Sequence, residues 1–351
     1  MTGSNKILAK GTEAIAMAAI KANCKYYFGY PITPQNEIPE YLSEHLPKNG
    51  GHFLQAESEI ASVNMLLGAA STGVRVMTSS SSPGISLMQE GISYLSGSEL
   101  PAVIVNMVRT GPGLGGINAT QGDYFQSVKG GGHGDYKCIV LAPHSVQELF
   151  DLTYKAFNLS DKYRMVTIIL ADAIMGQIKE PIIAEPREPI NEYDKSWALT
   201  GAKGRDGKKV KSLYLGDGEM EQHIKYLWKK YEQLKKEDCL YELNEDKDSD
   251  LVFIAFGSCA RIAKTAIENA REMGKKITLI RPITLFPFPD KVIYDVTKKV
   301  KNVLVFETNM GQMIEDVRLS VAEGTKVNLY ARPGGTVVSP DEITEEILKY
   351  I

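Results

Sequence analysis

Three side chains in this 351-residue sequence are placed where chemistry could be done. The first is Thr33, a hydroxyl framed by two prolines in Tyr30-Pro31-Ile32-Thr33-Pro34. The prolines fix their own φ and bias Tyr30 and Thr33 toward extended conformations. Neither ring offers an N–H, so the stretch cannot be an interior helix or a central strand. It reads as a stiff turn, which either serves structure alone or presents the hydroxyl to a ligand. The second is a carboxyl at a helix start. Glu57 and Glu59 both precede an apolar run, where a carboxylate complements the helix dipole or serves as an acid–base group. The third is Arg109, which ends the apolar run 102–108 and is followed by Thr-Gly-Pro-Gly. Its planar fork suits a carboxylate held bidentately. The plainer reading is an ion pair at a domain edge.

Other chemistries find no support. The glycines of 111–116 lack the spacing of a dinucleotide fingerprint, and no G-K-[ST] follows, so this reads as a flexible loop. Cys24, Cys138, Cys239 and Cys259 are scattered. An iron–sulfur cluster needs grouped thiolates, so the chain cannot hold one alone. His133 and Asp135, in Gly130-Gly131-Gly132-His133-Gly134-Asp135, read as holding a turn, with His133 a further candidate for contact with a site.

The elements that must position these groups follow an α/β pattern. A strand leads into the Pro–x–x–Pro turn, and a helix runs from it through Leu46. A short strand at 52–56 precedes an apolar helix at 57–71, which should be buried. A strand from Val74 and a serine-rich turn lead to a helix ending at Gly97. The continuous apolar runs 101–108, 138–142 and 165–171 read as parallel strands covered on both faces. Helices at 12–23 and 146–158 complete a doubly wound α/β domain over 1–190. Residues 191–248 read as a linker with a charged helix at 220–237. Strands beginning at 251, 277 and 302, with helices at 261–273 and 341–351, make a smaller α/β domain over 249–351.

Composition bounds the partners. The net charge of −3, with 43% hydrophobic and 24% charged residues, implies no nucleic acid and no electrostatic membrane anchor. No run reaches the ~18 apolar residues of a membrane span. The first residues lack a signal-peptide core, so a cytoplasmic location is expected.

Tyr30-Pro31-Ile32-Thr33-Pro34 resembles the hallmark of the α-type subunit of 2-oxoacid:ferredoxin oxidoreductases. Glu57-Ser58-Glu59, Ser82-Pro83-Gly84, the 109–116 loop, His133-Gly134-Asp135 and the Glu-Thr-Asn-Met-Gly-Gln run at 307–312 resemble the same family, in the same order. Together they span nearly the whole chain. The resemblance implies a pyrimidine-type thiamine-enzyme domain, then a transketolase C-terminal-like domain. It implies oxidative decarboxylation of a 2-oxoacid to acyl-CoA, with CoA as co-substrate and ferredoxin as acceptor. Glu59 would then hydrogen-bond N1′ of thiamine diphosphate, with Glu57 as runner-up. Arg109 and Thr33 would bind the substrate.

The same resemblance assigns thiamine diphosphate and Mg²⁺ mainly to a partner β subunit, and [4Fe-4S] clusters to partner subunits. A γ-type subunit, and in four-chain assemblies a ferredoxin-like δ subunit, complete the set. No CoA-associated γ-type domain is expected ahead of the first domain, which makes it another chain. The Gly-Leu-Gly-Gly form of the loop resembles the 2-oxoisovalerate (branched-chain) subtype, with the 2-oxoglutarate and pyruvate subtypes as alternatives. Asp217, followed by Asn244, has the form of a thiamine-diphosphate/Mg²⁺ motif. The helix between them is rich in lysine, unlike a cofactor-core helix, so the motif reads as a decoy and no metal ligand is assigned. A self-sufficient thiamine enzyme using that pair, and a non-catalytic assembly subunit, are the competing readings.

Overall fold

A computed structural model describes residues 6–351. Residues 1–5, part of the stretch without a signal core, lie outside the described residues. Seven strands form the larger sheet in the order Thr284–Phe286, Ile139–Leu141, Val166–Asp172, Ala102–Val108, Val76–Ser80, Tyr26–Gly29, His52–Gln55. All neighbours are parallel except Thr284–Phe286, which runs antiparallel to Ile139–Leu141. Every residue of Ala102–Val108 and Val166–Asp172 is buried, which accounts for their unbroken apolar runs. The smaller sheet has the order Lys326–Ala331, Asn302–Glu307, Leu251–Ile254, Ile277–Pro282, Tyr241–Asn244, with the last strand antiparallel. An antiparallel ribbon pairs Ile7–Lys10 with Lys179–Ile182.

One local expectation changes. The apolar helix is Glu59–Ala70, and it buries Ser62, Val63, Leu66 and Ala70 but leaves Ile60 and Met65 exposed. It is half in the core because only one side meets the sheet and the helix Ser82–Gly97. Residues 213–215, ahead of Asp217, form no strand, and Leu213 and Leu215 are exposed. The following helix, Glu219–Glu237, buries Leu227, Tyr231 and Leu234 along one stripe and turns Lys225, Lys229, Lys235 and Lys236 outward, while Lys230 folds in to pair with Glu99 at 2.9 Å.

The two sheets are joined by a polar seam. Glu307 is fully buried at the end of its strand. Its carboxylate accepts from the backbone N–H of Gln312, Met313 and Ile314 at 3.2, 2.8 and 2.9 Å, capping the helix Met313–Ser320. The turn so formed holds the segment after the larger sheet's loop. Asn309 Nδ2 donates to Gln121 O at 2.9 Å and Gln312 Nε2 to Gly122 O at 2.7 Å. Phe125 N donates to Gln312 Oε1 at 2.8 Å. A second junction is ionic. Arg281, 2% exposed, binds Glu148 through both terminal nitrogens at 3.0 and 2.8 Å and Glu242 through Nε at 2.8 Å. His144 Nδ1 lies 2.7 Å from the same Glu148.

Candidate active site

Thr33 follows the strand Tyr26–Gly29, Glu59 follows His52–Gln55, and Arg109 follows Ala102–Val108. These strands are parallel, so all three groups sit at the sheet's carboxyl edge, where an open α/β sheet binds ligands. The proline turn is held by side chains that reach its carbonyls. Gln35 Nε2 donates to Tyr30 O at 3.3 Å, Gln177 Nε2 to Pro34 O at 3.2 Å, and Arg109 Nη1 to Thr33 O at 3.1 Å. Gln35 is itself fixed by Ser79, whose hydroxyl donates to Gln35 Oε1 at 2.5 Å. Arg109 and Thr33 are therefore in contact. The contact is through the Thr33 carbonyl, and the Thr33 side chain is exposed.

Arg109 is 9% exposed, yet among the described residues no carboxylate pairs with it. Its second terminal nitrogen donates to Leu114 O at 3.4 Å, and Nε has no partner. A buried guanidinium surrounded by carbonyls is short of an anion. The 110–118 loop is tied at its base: Thr110 N donates to Asn118 O and Gly116 N to Thr110 O, each at 2.9 Å. These bonds draw it into a tongue. Gly115, at φ +59°, is required there, since a Cβ would stand 1.8 Å from Thr110 O. Leu114 and Ile117 project from it into solvent.

Glu59 is the first residue of its helix, 6% exposed, behind the N-cap Ser58, whose hydroxyl accepts from Ala61 N at 3.2 Å. Among the described residues no protein group pairs with its carboxyl. Glu57 is exposed. What admits Glu59 is Gly84, in the first turn of the helix Ser82–Gly97: a Cβ there would stand 2.0 Å from Ser80 Oγ and 2.5 Å from Glu59 Oε1. The same first turn reaches Arg109, because Ser82 Oγ accepts from Arg109 N and faces Arg109 O, both at 3.1 Å. One helix end thus supports both groups. The hydroxyls of Thr78, Ser80 and Ser81 and the Asn106 carbonyl are buried around it without partners.

Asp123 escaped the sequence reading. Asn106 Nδ2 donates to its Oδ2 at 2.9 Å. Burial raises its pKa, against the lowering effect of the nearby Ser82 and Asn106 side chains. Asn106 sits inside an apolar strand and Asp123 in an irregular loop, so neither had a periodic signal. His133 and Asp135 stand apart from Arg109 and Thr33, on an exposed glycine loop laid against the helix Ser82–Gly97, with the His133 ring edge-on to Tyr94 at 6.1 Å. Asp217 is exposed ahead of its helix, while Asn244 Oδ1 accepts from Arg271 at 3.2 Å. No group of three or more His, Cys, Asp or Glu among the described residues could hold a metal ion.

Residues 17–240 match the family described as pyruvate flavodoxin/ferredoxin oxidoreductase, thiamine diphosphate-binding, and residues 249–343 match pyruvate:ferredoxin oxidoreductase core domain II. The chain is 47% identical over 341 residues to ketoisovalerate oxidoreductase subunit VorB of Methanothermobacter marburgensis, covering 97% of this chain and 96% of that one. It is 36% identical to 2-oxoglutarate synthase subunit KorA of Methanocaldococcus jannaschii, with 97% and 98% covered. Among solved structures, 2-oxoglutarate:ferredoxin oxidoreductase from Magnetococcus marinus, with 2-oxoglutarate, coenzyme A and succinyl-CoA bound, superimposes with a TM-score of 0.90 at 27% identity. That match spans all of this chain and 66% of the other.

Proposed function

Because this chain belongs to the 2-oxoacid:ferredoxin oxidoreductase family, we propose that it is the α-type subunit of an enzyme converting 2-oxoisovalerate to its acyl-CoA with reduction of ferredoxin. The buried, anion-less Arg109 carries the reading. A 2-oxoacid offers a planar carboxylate, and the free edge of the guanidinium can take it bidentately without moving the Thr33 turn. The exposed Thr33 hydroxyl lies beside it for the substrate's oxygens. The tongue whose Leu114 carbonyl meets Arg109 carries apolar side chains, Leu114 and Ile117. They suit a branched aliphatic substrate better than 2-oxoglutarate, whose second carboxylate would need another cation.

Thiamine diphosphate, when bound, supplies the electron sink that decarboxylation requires. Glu59 fits its aminopyrimidine ring: the carboxyl is buried, aimed past Gly84, and short of a partner. It would hold a proton against the ring nitrogen N1′. Groups that could hold the diphosphate and Mg²⁺ belong to a partner β subunit in this proposal, as do the iron–sulfur clusters to partner chains. The helix Glu59–Ala70 and its neighbour Ser82–Gly97 offer an apolar outer face beside Glu59, with Ile60 50% and Leu87 51% exposed. Such a face is what a partner subunit would cover. No helix among the described residues is long and apolar enough to cross a membrane, and a cytoplasmic location belongs to the same proposal.

Arg109→Lys tests the reading in the reconstituted complex. Lysine keeps the charge but loses the fork, and a charge-assisted hydrogen bond is worth about 1.5–3 kcal/mol. The KM for 2-oxoisovalerate should rise at least tenfold, with the KM for coenzyme A unchanged. An unchanged oxoacid KM would remove Arg109 from the substrate site.

A further inference from the structure

We infer that Gly335 is a positioning residue for the substrate site: by having no side chain, it lets the second domain seat the hairpin that carries Arg109 and the 110–118 tongue. The inference rests on Arg109 being the oxoacid anchor and concerns what sets the tongue over it.

The hairpin begins at the anchor itself. Arg109 follows the strand Ala102–Val108 and pairs with Ala119 in an isolated antiparallel bridge. Beside that bridge, Asn118 O accepts from Thr110 N and from Thr110 Oγ1, each at 2.9 Å. The tongue closed by these contacts returns over the guanidinium, where Leu114 O accepts from Arg109 Nη2 at 3.4 Å. A displacement at Thr110 or Asn118 therefore acts on both parts of the site, the backbone of the anchor and the carbonyl that meets its fork.

The base of this hairpin lies against the second domain. A Cβ on Gly335 would stand 2.3 Å from Asn118 Cβ, 2.9 Å from Thr110 Oγ1 and 3.3 Å from Ala119 O, so three residues that close the hairpin meet one glycine. Neither Asn118 Cβ nor Ala119 O is the far end of a flexible side chain, so neither can swing aside. The segment bearing the glycine is fixed where it leaves the smaller sheet. Arg332 N donates to Glu307 O at 3.0 Å, and Arg332 Nη1 to Tyr330 Oη at 2.9 Å and Glu342 Oε2 at 3.3 Å. The exit of the hairpin is fixed to the same domain: Thr120 Oγ1 donates to Thr308 O at 2.6 Å and Gln121 Nε2 to Phe256 O at 2.8 Å. A methyl added at 335 is thus pressed into the hairpin base, between Arg109 and the tongue. Gly334, one residue earlier, gives the contrast. Its φ of +83° matches the +79° of Gly335, yet a Cβ there meets nothing within 4 Å. Alanine pays the same left-handed strain at both positions and pushes on the site from only one.

Gly335→Ala and Gly334→Ala in the reconstituted complex, alongside Arg109→Lys, test this. Gly335→Ala should raise the KM for 2-oxoisovalerate about tenfold, the lower end of what one methylene-sized contact in an apolar pocket is worth. Its kcat should stay within about threefold of the parent, with the KM for coenzyme A unmoved. Gly334→Ala should keep the oxoacid KM of the parent, although its melting temperature falls as well. Gly335→Ala with Asn118→Gly removes the carbon that the new methyl meets first, and should bring the KM most of the way back. Hydrogen exchange on the isolated full-length chain gives a readout independent of turnover. The amides of Thr110 and Gly116, whose bonds close the tongue, should exchange faster in Gly335→Ala and not in Gly334→Ala. If the two alanine variants shift the oxoacid KM equally, or if kcat and both KM values worsen together, Gly335 serves the fold alone and the inference falls. No recovery in the double variant would also overturn it. If Arg109→Lys raises the oxoacid KM while Gly335→Ala does not, the anchor stands and the positioning role falls. If Arg109→Lys itself is silent, the reading of the site fails, and this inference with it.

Discussion

Gly84→Ala sets two effects against each other, and the structure says which prevails. Gly84 is a helical residue with ordinary φ, and alanine in a helix is favoured over glycine by about 0.5–1 kcal/mol. On backbone grounds alone the variant should be more stable. The added methyl, however, would stand 2.0 Å from Ser80 Oγ and 2.5 Å from Glu59 Oε1. Ser80 Oγ must retreat by about 1.4 Å and Glu59 Oε1 by about 0.9 Å to reach van der Waals contact, and overpacking of this kind costs about 1–3 kcal/mol. The net should be a loss of about 0–2 kcal/mol, a small change in melting temperature. The effect on activity should be far larger, because a misplacement of about 1 Å in a reacting group can cost ~10²-fold in rate. The assay is oxoacid-dependent ferredoxin reduction by the reconstituted complex, with a melting curve on the chain alone. A second variant, Gly84→Ala with Ser80→Gly, removes the nearer clash and leaves the one with Glu59. It should recover the stability and none of the activity. Full activity in Gly84→Ala would show that Glu59 need not lie where the glycine lets it lie.

Glu59→Gln should assemble normally and lose ~10²–10⁴-fold in turnover, the usual range for general acid–base assistance, while Glu57→Gln, on an exposed side chain, should be mild. Equal losses in the two variants would refute the assignment. At the ionic junction, burial alone would raise the Glu148 pKa, but its bonds to His144 and Arg281 outweigh this and hold it at about 2, against an ordinary 4.5. A depressed carboxyl contributes stability in full above its unfolded value and loses it as pH falls through the folded one. The chain's melting temperature should therefore drop more steeply between pH 4.5 and about 2 than that of Glu148→Gln. At neutral pH that variant should already be about 3 kcal/mol weaker, because Arg281 is left half paired. Parallel pH profiles for the two proteins would refute this.

Much of this architecture could be read from residue order. Ala102–Val108 and Val166–Asp172 declare themselves by apolar runs that only a doubly covered parallel strand explains. The carboxyl edge then places Thr33, Glu59 and Arg109 without further help. The choice between Glu57 and Glu59 needed the resemblance, because two residues at one helix start differ only in which way they face. The burial of Glu59–Ala70 was overestimated, since an apolar side chain looks the same whether it meets this chain's core or another chain's surface. Thr284–Phe286 has three residues, a proline close on either side and no alternation to betray it. Asp123 depends on a turn nearly two hundred residues away, a pairing that no local pattern encodes.

That short strand sets an order on how the protein can be made. The larger sheet is built mainly from residues before 173, yet its edge is closed by Thr284–Phe286, which emerges from the ribosome more than a hundred residues later. Until then Ile139–Leu141 presents an open row of N–H and C=O groups, the kind of edge that pairs with a neighbouring chain. Tyr241–Asn244, made earlier, waits in turn for Ile277–Pro282. A fragment cut anywhere between 190 and 283 leaves this edge uncapped, and should aggregate even though the candidate site residues Thr33, Glu59 and Arg109 are all present in it. The nascent chain faces the same hazard during each round of synthesis, so its yield in a cell should depend on how fast the ribosome passes from Leu141 to Phe286.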